Sequence, residues 1–127
     1  MQEFSARGIP GEKLLPLGIP TNPAMACHVD SAVARRQLHL PQTGRMVLVM
    51  SGSIGCGPVT ALALKLLRRL PRDTFVVVVC GKNKSQFREL QRYARFREKL
   101  YPVGFTDRMD LFLSAADIAV TKPGGLS

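Results

Sequence analysis

Short, wholly apolar runs alternate along this chain with stretches in which apolar residues recur every three or four positions. Residues 46–50 and 74–80 are runs of strand length with almost no polar residue, which predicts strands buried on both faces. Shorter apolar runs at 100–103 and 118–121 predict two more strands. The segment 58–69 places Val59, Leu62, Ala63, Leu66 and Leu67 on one side of a helix. The segment 85–97 does the same with Phe87, Leu90 and Ala94 and turns its arginines outward, and 109–115 reads as a third helix. The first forty residues differ. Pro10, Pro16, Pro20, Pro23 and Pro41 interrupt any long element and leave one short helix over 31–38, with Asp30 as its N-cap. Strands alternating with helices at this spacing predict an α/β fold, a doubly wound parallel sheet with right-handed crossovers. That sheet is expected within 45–127, behind a loop-rich lead-in at 1–44.

Two of the strands run into glycine loops. Met50 is followed by Ser51-Gly52-Ser53-Ile54-Gly55-Cys56-Gly57-Pro58, and Thr121 by Lys122-Pro123-Gly124-Gly125-Leu126-Ser127. Glycine lets a backbone approach a ligand closely, and proline suits the first turn of a helix, where its missing N–H is not needed. A helix N-terminus behind such a loop presents free amides to a phosphate. One glycine-rich turn is a common feature and by itself reads as a tight connection. Two of them, at the ends of the first and fourth strands, predict that these strands flank the switch point of the sheet and hold a diphosphate between them. Lys122 has two readings, a phosphate contact or a solvated lysine before a turn. The second loop should open another helix, so a full sheet is expected to continue for one or two βα units. A preceding domain is expected before the lead-in.

Composition narrows the choice of partner. At 127 residues and 46% hydrophobic content the chain is one globular domain at most. Its formal charge is +9, and between positions 65 and 99 the lysines and arginines face only Asp73, Glu89 and Glu98. Such a concentration fits nucleic acid, anionic lipid or an acidic partner, or else two solvated helix faces. No zinc-finger spacing, RNP-like aromatic pattern or recognition helix accompanies it, so nucleic acid is not expected. No apolar run approaches the roughly 18 residues of a membrane span, and Met1-Gln2-Glu3-Phe4 does not open a signal peptide. Cys27, Cys56 and Cys80 form no C-x-x-C pair, which predicts a reduced, cytoplasmic chain. Cys80 reads as core, and Cys56 as a small residue in a tight loop. His28 and His39 read as surface residues. Asp107 reads as the cap of a helix starting near Arg108, and Asp117 as a turn residue before the last strand, rather than as a carboxylate pair.

Taken together, these motifs resemble the C-terminal, donor-binding half of glycosyltransferases built from two Rossmann-like domains, the GT-B arrangement. The resemblance is to the group of monogalactosyldiacylglycerol synthases and processive diacylglycerol glucosyltransferases and, more distantly, to the peptidoglycan N-acetylglucosamine transferase. Five segments carry it: Gly18-Ile19-Pro20 with Pro23, the loop 50–57, Val79-Cys80-Gly81-Lys82-Asn83, Gly104-Phe105-Thr106-Asp107-Arg108-Met109, and Ala116-Asp117 through Thr121-Lys122-Pro123-Gly124-Gly125-Leu126-Ser127. The ending from Thr121 and the Cys80-Gly81-Lys82-Asn83 strand end look closer to the diacylglycerol enzymes.

The resemblance implies a UDP-hexose donor, a diacylglycerol acceptor and an inverting transfer that releases UDP and makes glycolipid, with no cofactor and no metal. It implies diphosphate contacts at Ser51, Gly52, Ser53, Gly55 and Gly57 from one side and at Gly124, Gly125, Leu126 and Ser127 from the other. Gly104, Phe105 and Thr106 would line the uracil pocket. An enzyme of this group works peripherally on the membrane, where Arg88, Arg92 and Arg95 are suited to an anionic leaflet. Its partners would be the UDP-sugar and an N-terminal acceptor domain. Two departures stand out. Ser51-Gly52-Ser53 replaces the usual Gly-Gly-Ser, and the acidic residue expected to hold the ribose would follow Ser127. The catalytic base would lie on the N-terminal domain, so this chain alone is expected not to catalyse. Open alternatives are a UDP-N-acetylglucosamine transferase of the peptidoglycan or two-subunit type, and a non-catalytic basic module that binds nucleotides or polyanions.

Overall fold

The computed structural model describes residues 2–15, 18, 23, 29–50 and 58–122. Helix α1 (Gln2–Ala6) and a 3-10 turn (Gly11–Lys13) come first, and neither was foreseen from the proline-rich sequence. The rest follows the predicted alternation: α2 (Ser31–Gln37), β1 (Arg45–Met50), α3 (Val59–Arg69), β2 (Thr74–Val79), α4 (Lys84–Ala94), β3 (Leu100–Val103), α5 (Met109–Ala115) and β4 (Ile118–Thr121). All four strands are parallel in the order β3-β2-β1-β4. The chain builds outward from β1 to β3 and then crosses back to place β4 on the other side of β1. The switch point therefore lies between β1 and β4, the two strands that lead into glycine loops.

Position in the sheet explains the strand compositions. Central β2 is buried throughout, and its run of four valines has no solvent face to serve. β3 is an edge strand, which tolerates Pro102 because its missing N–H need not meet a neighbour. Helices α3 and α4 cover one face, where Ala63 and Leu90 pack with Val47, Val49, Val76 and Val78. Helices α2 and α5 cover the other, where Ala34, Leu111 and Phe112 pack with Met46, Leu48, Phe75 and Val77. Although α2 precedes the regular alternation, it belongs to this core.

Two ends differ from expectation. The helix expected over 85–97 begins at Lys84 and stops at Ala94, because Ala94 is its last inward apolar residue and Phe96 lies out in solvent. Asp30 does cap α2, accepting from the Ala32 and Val33 N–H groups at 3.0 and 3.2 Å. Asp107, by contrast, is not the cap of α5. The N-cap position is Arg108, and its N–H donates to Thr106 Oγ1 at 3.0 Å, one residue before Asp107.

The amino-terminal edge of the sheet is fastened by groups that the sequence pattern does not expose. Arg35 on α2 is buried beside Phe75, with its guanidinium carbon 5.5 Å from the ring centre. It donates to the Ala115 carbonyl (3.1 Å), the Gly44 carbonyl (2.9 Å) and Asp117 Oδ2 (2.9 Å). Asp117 Oδ2 also accepts from the Met46 N–H at 2.6 Å, and the Asp117 N–H donates to the Met46 carbonyl at 3.0 Å. One arginine thus joins α2, α5 and the starts of β1 and β4. Gly44 enters β1 at φ +87, and a Cβ there would collide with the Asp73 carbonyl oxygen.

Candidate functional site

In a sheet of this kind ligands gather outside the carboxyl ends of the strands at the switch point. The β1–β4 register pairs Met50 with Thr121. Both strands therefore end at the same level, Met50 beside Thr121. Ser51, Gly52, Ser53, Gly55 and Gly57 of the first loop, with Cys56, lie outside the described residues, as do Gly124, Gly125, Leu126 and Ser127 of the second. Their points of departure are fixed, and Lys122 sits exposed at the end of β4.

Beyond the first loop, α3 starts at Val59 with Pro58 as its N-cap residue and no side chain capping its first turn. Its eleven residues carry no acidic group in that turn. The first-turn amides and the positive end of the helix dipole are thus directed at the carboxyl edge, and the Glu89 carboxylate reaches this turn to accept from Thr60 Oγ1 at 3.0 Å.

The β2 and β3 ends complete the edge. Cys80 follows β2, and its N–H donates to the Val103 carbonyl at 2.8 Å. Gly81 turns the chain at φ +58. Asn83 Oδ1 then caps α4 by accepting from the Gln86 N–H at 3.0 Å. Gly104, Phe105 and Thr106 leave β3 at the same edge. The Phe105 ring is 69% exposed, and Lys82 Nζ lies 5.9 Å from its centre. An aromatic face held open at a strand end is suited to stack on a flat base. Thr106 anchors the start of α5, and Arg108 ties it to α2 by donating to Gln37 Oε1 at 2.8 Å. With strands about 4.8 Å apart, the Phe105 platform stands three strand positions, or roughly 14 Å, from the Lys122 end.

Other expected residues fall elsewhere. Cys80 is fully buried, and burial pushes its thiol up to about 11, so it is core and not a nucleophile. His39 is exposed, while Cys27 and His28 lie outside the described residues. Asp107 is exposed and Asp117 is engaged by Arg35, so the two make no carboxylate pair. The sequence reading did not single out Lys82 as a neighbour of Phe105. It also missed Gln86, whose Oε1 is buried in the first turn of α4 without a hydrogen-bond partner.

Residues 46–127 match the glycosyltransferase family 28 C-terminal domain, from the second residue of β1 through the second glycine loop. The chain belongs to this family. Curated relatives of the family 28 domain include proteins named processive diacylglycerol beta-glucosyltransferase. That of Staphylococcus saprophyticus is 29% identical over 126 residues, covering 98% of this chain and 32% of the relative. That of Staphylococcus carnosus is 28% identical over 127 residues, covering 99% and 32%. That of Bacillus mycoides is 29% identical over 124 residues, covering 94% and 31%. The chain spans about a third of the length of the curated relatives it matches. No helix among the described residues is long and apolar enough to cross a membrane.

Proposed function

We propose that this chain is the donor-binding part of an inverting glycosyltransferase that moves a hexose from UDP-hexose to diacylglycerol, with 45–127 as the nucleotide-sugar-binding unit. The observation that carries this reading is the Met50–Thr121 pairing in a family 28 domain, which sends both glycine loops out of adjacent strands at one level. The diphosphate then lies between the loops, held by backbone amides at Ser51, Gly52, Ser53, Gly55 and Gly57 and by Gly124, Gly125, Leu126 and Ser127. Lys122 adds a positive charge beside them. The α3 amides meet the negative charge that grows on the leaving UDP as the sugar departs, which lowers the barrier without a proton or a metal. Uracil stacks on Phe105, with Gly104 and Thr106 bounding its pocket.

A protein working on a diacylglycerol acceptor meets the membrane surface, and Arg88, Arg92 and Arg95 are exposed to face an anionic leaflet. The acceptor site and catalytic base belong to a second domain of the kind that the longer relatives have room for.

A titration of the folded chain with UDP, followed by backbone amide shifts with ADP as control, tests the donor site. Shifts at 52–57 and 105–106 with UDP and not ADP are expected. Equal response to both nucleotides, or none in a chain with native dispersion, would refute the reading.

A further inference from the structure

At the carboxyl edge the exits of β2 and β3 meet, and one cation stands there without an anionic partner. The two strands run in register to Val79 and Val103, and the Cys80 N–H extends the pairing by donating to the Val103 carbonyl at 2.8 Å. Gly81 then turns the chain at φ +58, the Lys82 carbonyl accepts from the Lys84 N–H at 3.0 Å, and Asn83 Oδ1 caps α4. The Lys82 backbone is held between a turn and a capped helix, while its side chain is exposed. That side chain reaches the exit of β3, where Nζ lies 5.9 Å from the centre of the Phe105 ring. Among the described residues the ion pairs are Arg7–Glu3 and Arg35–Asp117, so no carboxylate there holds this ammonium. Arg108, the other cation near Phe105 in sequence, is engaged by Gln37 Oε1 at 2.8 Å.

An ammonium over an exposed ring is weakly held, and it gains more from a hydrogen bond to an oxygen acceptor. Stacked rings set their centres about 4.5–7 Å apart. A base stacked on Phe105 thus lies at the height that Nζ now occupies, and it moves the ammonium from the ring face to the rim of the base. The rim is where bases differ. Uracil carries a carbonyl oxygen at C4, and cytosine carries there an amino group of similar size and opposite hydrogen-bonding sense. An ammonium has donors and no acceptor, so it pairs with the oxygen and is repelled by the amino group. The C2 carbonyl is shared by both bases and stands beside the bond to ribose, which leads back toward the glycine loops. The C4 position is the one left free at the edge.

We propose that Lys82 is a specificity-determining residue of the donor site, its Nζ donating to the C4 carbonyl oxygen of uracil and turning away a pyrimidine with an amino group at C4. This rests on the reading of the carboxyl edge as a UDP-hexose site and adds to it the side chain that selects the base. The base is then stacked by the exit of β3 and read by the exit of β2. Gly81 sets the direction of the reading group, and the cap at Asn83 keeps its backbone in place.

Calorimetric titration of the folded 127-residue chain with UDP and with CDP, for the parent, Lys82→Met and Lys82→Arg, tests this. The parent should prefer UDP. Lys82→Met should lower the UDP-to-CDP affinity ratio by about tenfold, the effect of one hydrogen bond to a charged group. Lys82→Arg keeps a charged donor and should keep most of the ratio. The diphosphate is common to both ligands, so any general attraction of the cation for phosphate cancels in the ratio. Lys82 is exposed, and circular dichroism of each variant should match the parent. Equal weakening of UDP and CDP by Lys82→Met would overturn the proposal, and so would unchanged affinity for both. A parent that binds UDP, with the same ratio in Lys82→Met, sinks the role of Lys82 alone. A folded parent that binds neither nucleotide sinks the donor site itself, and this inference with it.

Discussion

Replacing Arg35 with Met keeps the apolar stem of the side chain and deletes its donors. The Gly44 carbonyl loses this donor, the Ala115 carbonyl keeps only a 3.4 Å bond from Ser31 Oγ, and Asp117 Oδ2 keeps only the Met46 N–H. Each carbonyl loses a hydrogen bond from a charged donor, which costs about 1 kcal/mol. The ion pair adds little, because the Asp117 side chain is 48% exposed and can be rehydrated, so about 0.5 kcal/mol is appropriate. Loss of the cation above Phe75 adds about 0.5 kcal/mol. The sum is about 3 kcal/mol, a large share of the 5–15 kcal/mol typical of a domain. With a urea m-value of about 2 kcal/mol/M, the unfolding midpoint should fall by about 1.5 M with m unchanged. Arg35→Lys should recover less than half of this, because one ammonium cannot reach three acceptors arranged for a planar fork. Urea titrations of the three proteins by far-UV circular dichroism decide the matter. A midpoint shift below about 0.5 M for Arg35→Met would refute the claim that this guanidinium fastens the amino-terminal edge.

Gly44→Ala should destabilise by about 2 kcal/mol or more, since it combines a positive φ with a collision at the Asp73 carbonyl, and thermal unfolding should show it as a drop of several degrees. The Cys80 thiol, raised by burial from 9.0 to about 11, should resist alkylation at pH 8 until the chain unfolds. The unfolded thiol ionises first, so its stabilising contribution is complete below about pH 9 and lost as pH rises toward about 11. Cys80→Val should flatten that part of the stability profile relative to the parent, as read by urea unfolding across the range.

Much of the fold could be read in the sequence because its signals are local. The bounds of β3, α5 and β4 follow from short apolar runs between turn residues, and Asp30 caps α2 through its own next three residues. What escaped reading is long-range or unsupported by a core. Arg35 looks like one of two arginines on a short helix, and its partner Asp117 is 82 residues away. α1 is exposed along the four residues described for burial, so no apolar stripe announces it. The end of α4 was placed too late because helical propensity continues past Ala94 while inward packing does not. The site divides in the same way. The glycine loops announce themselves by composition, and the register that brings them out at one level follows from strand order. The approach of Lys82 to Phe105 depends on two strand ends meeting across the sheet, which no spacing in the chain encodes.

The cluster at Asp117 has a mechanical consequence for the opposite edge. Because β1 and β4 are stapled at Met46 by two hydrogen bonds through Asp117, β4 cannot slide along β1 without breaking both. A one-residue slip would also turn Ile118 and Val120 to the wrong faces. Sliding between the strands is therefore resisted from their amino-terminal ends, about 13 Å from Met50 and Thr121. The relative level of the two strand ends that lead into the glycine loops is thus set by residues at the opposite edge. A screen for weakened nucleotide binding should accordingly recover substitutions at Arg35 and Asp117 alongside those in the glycine loops.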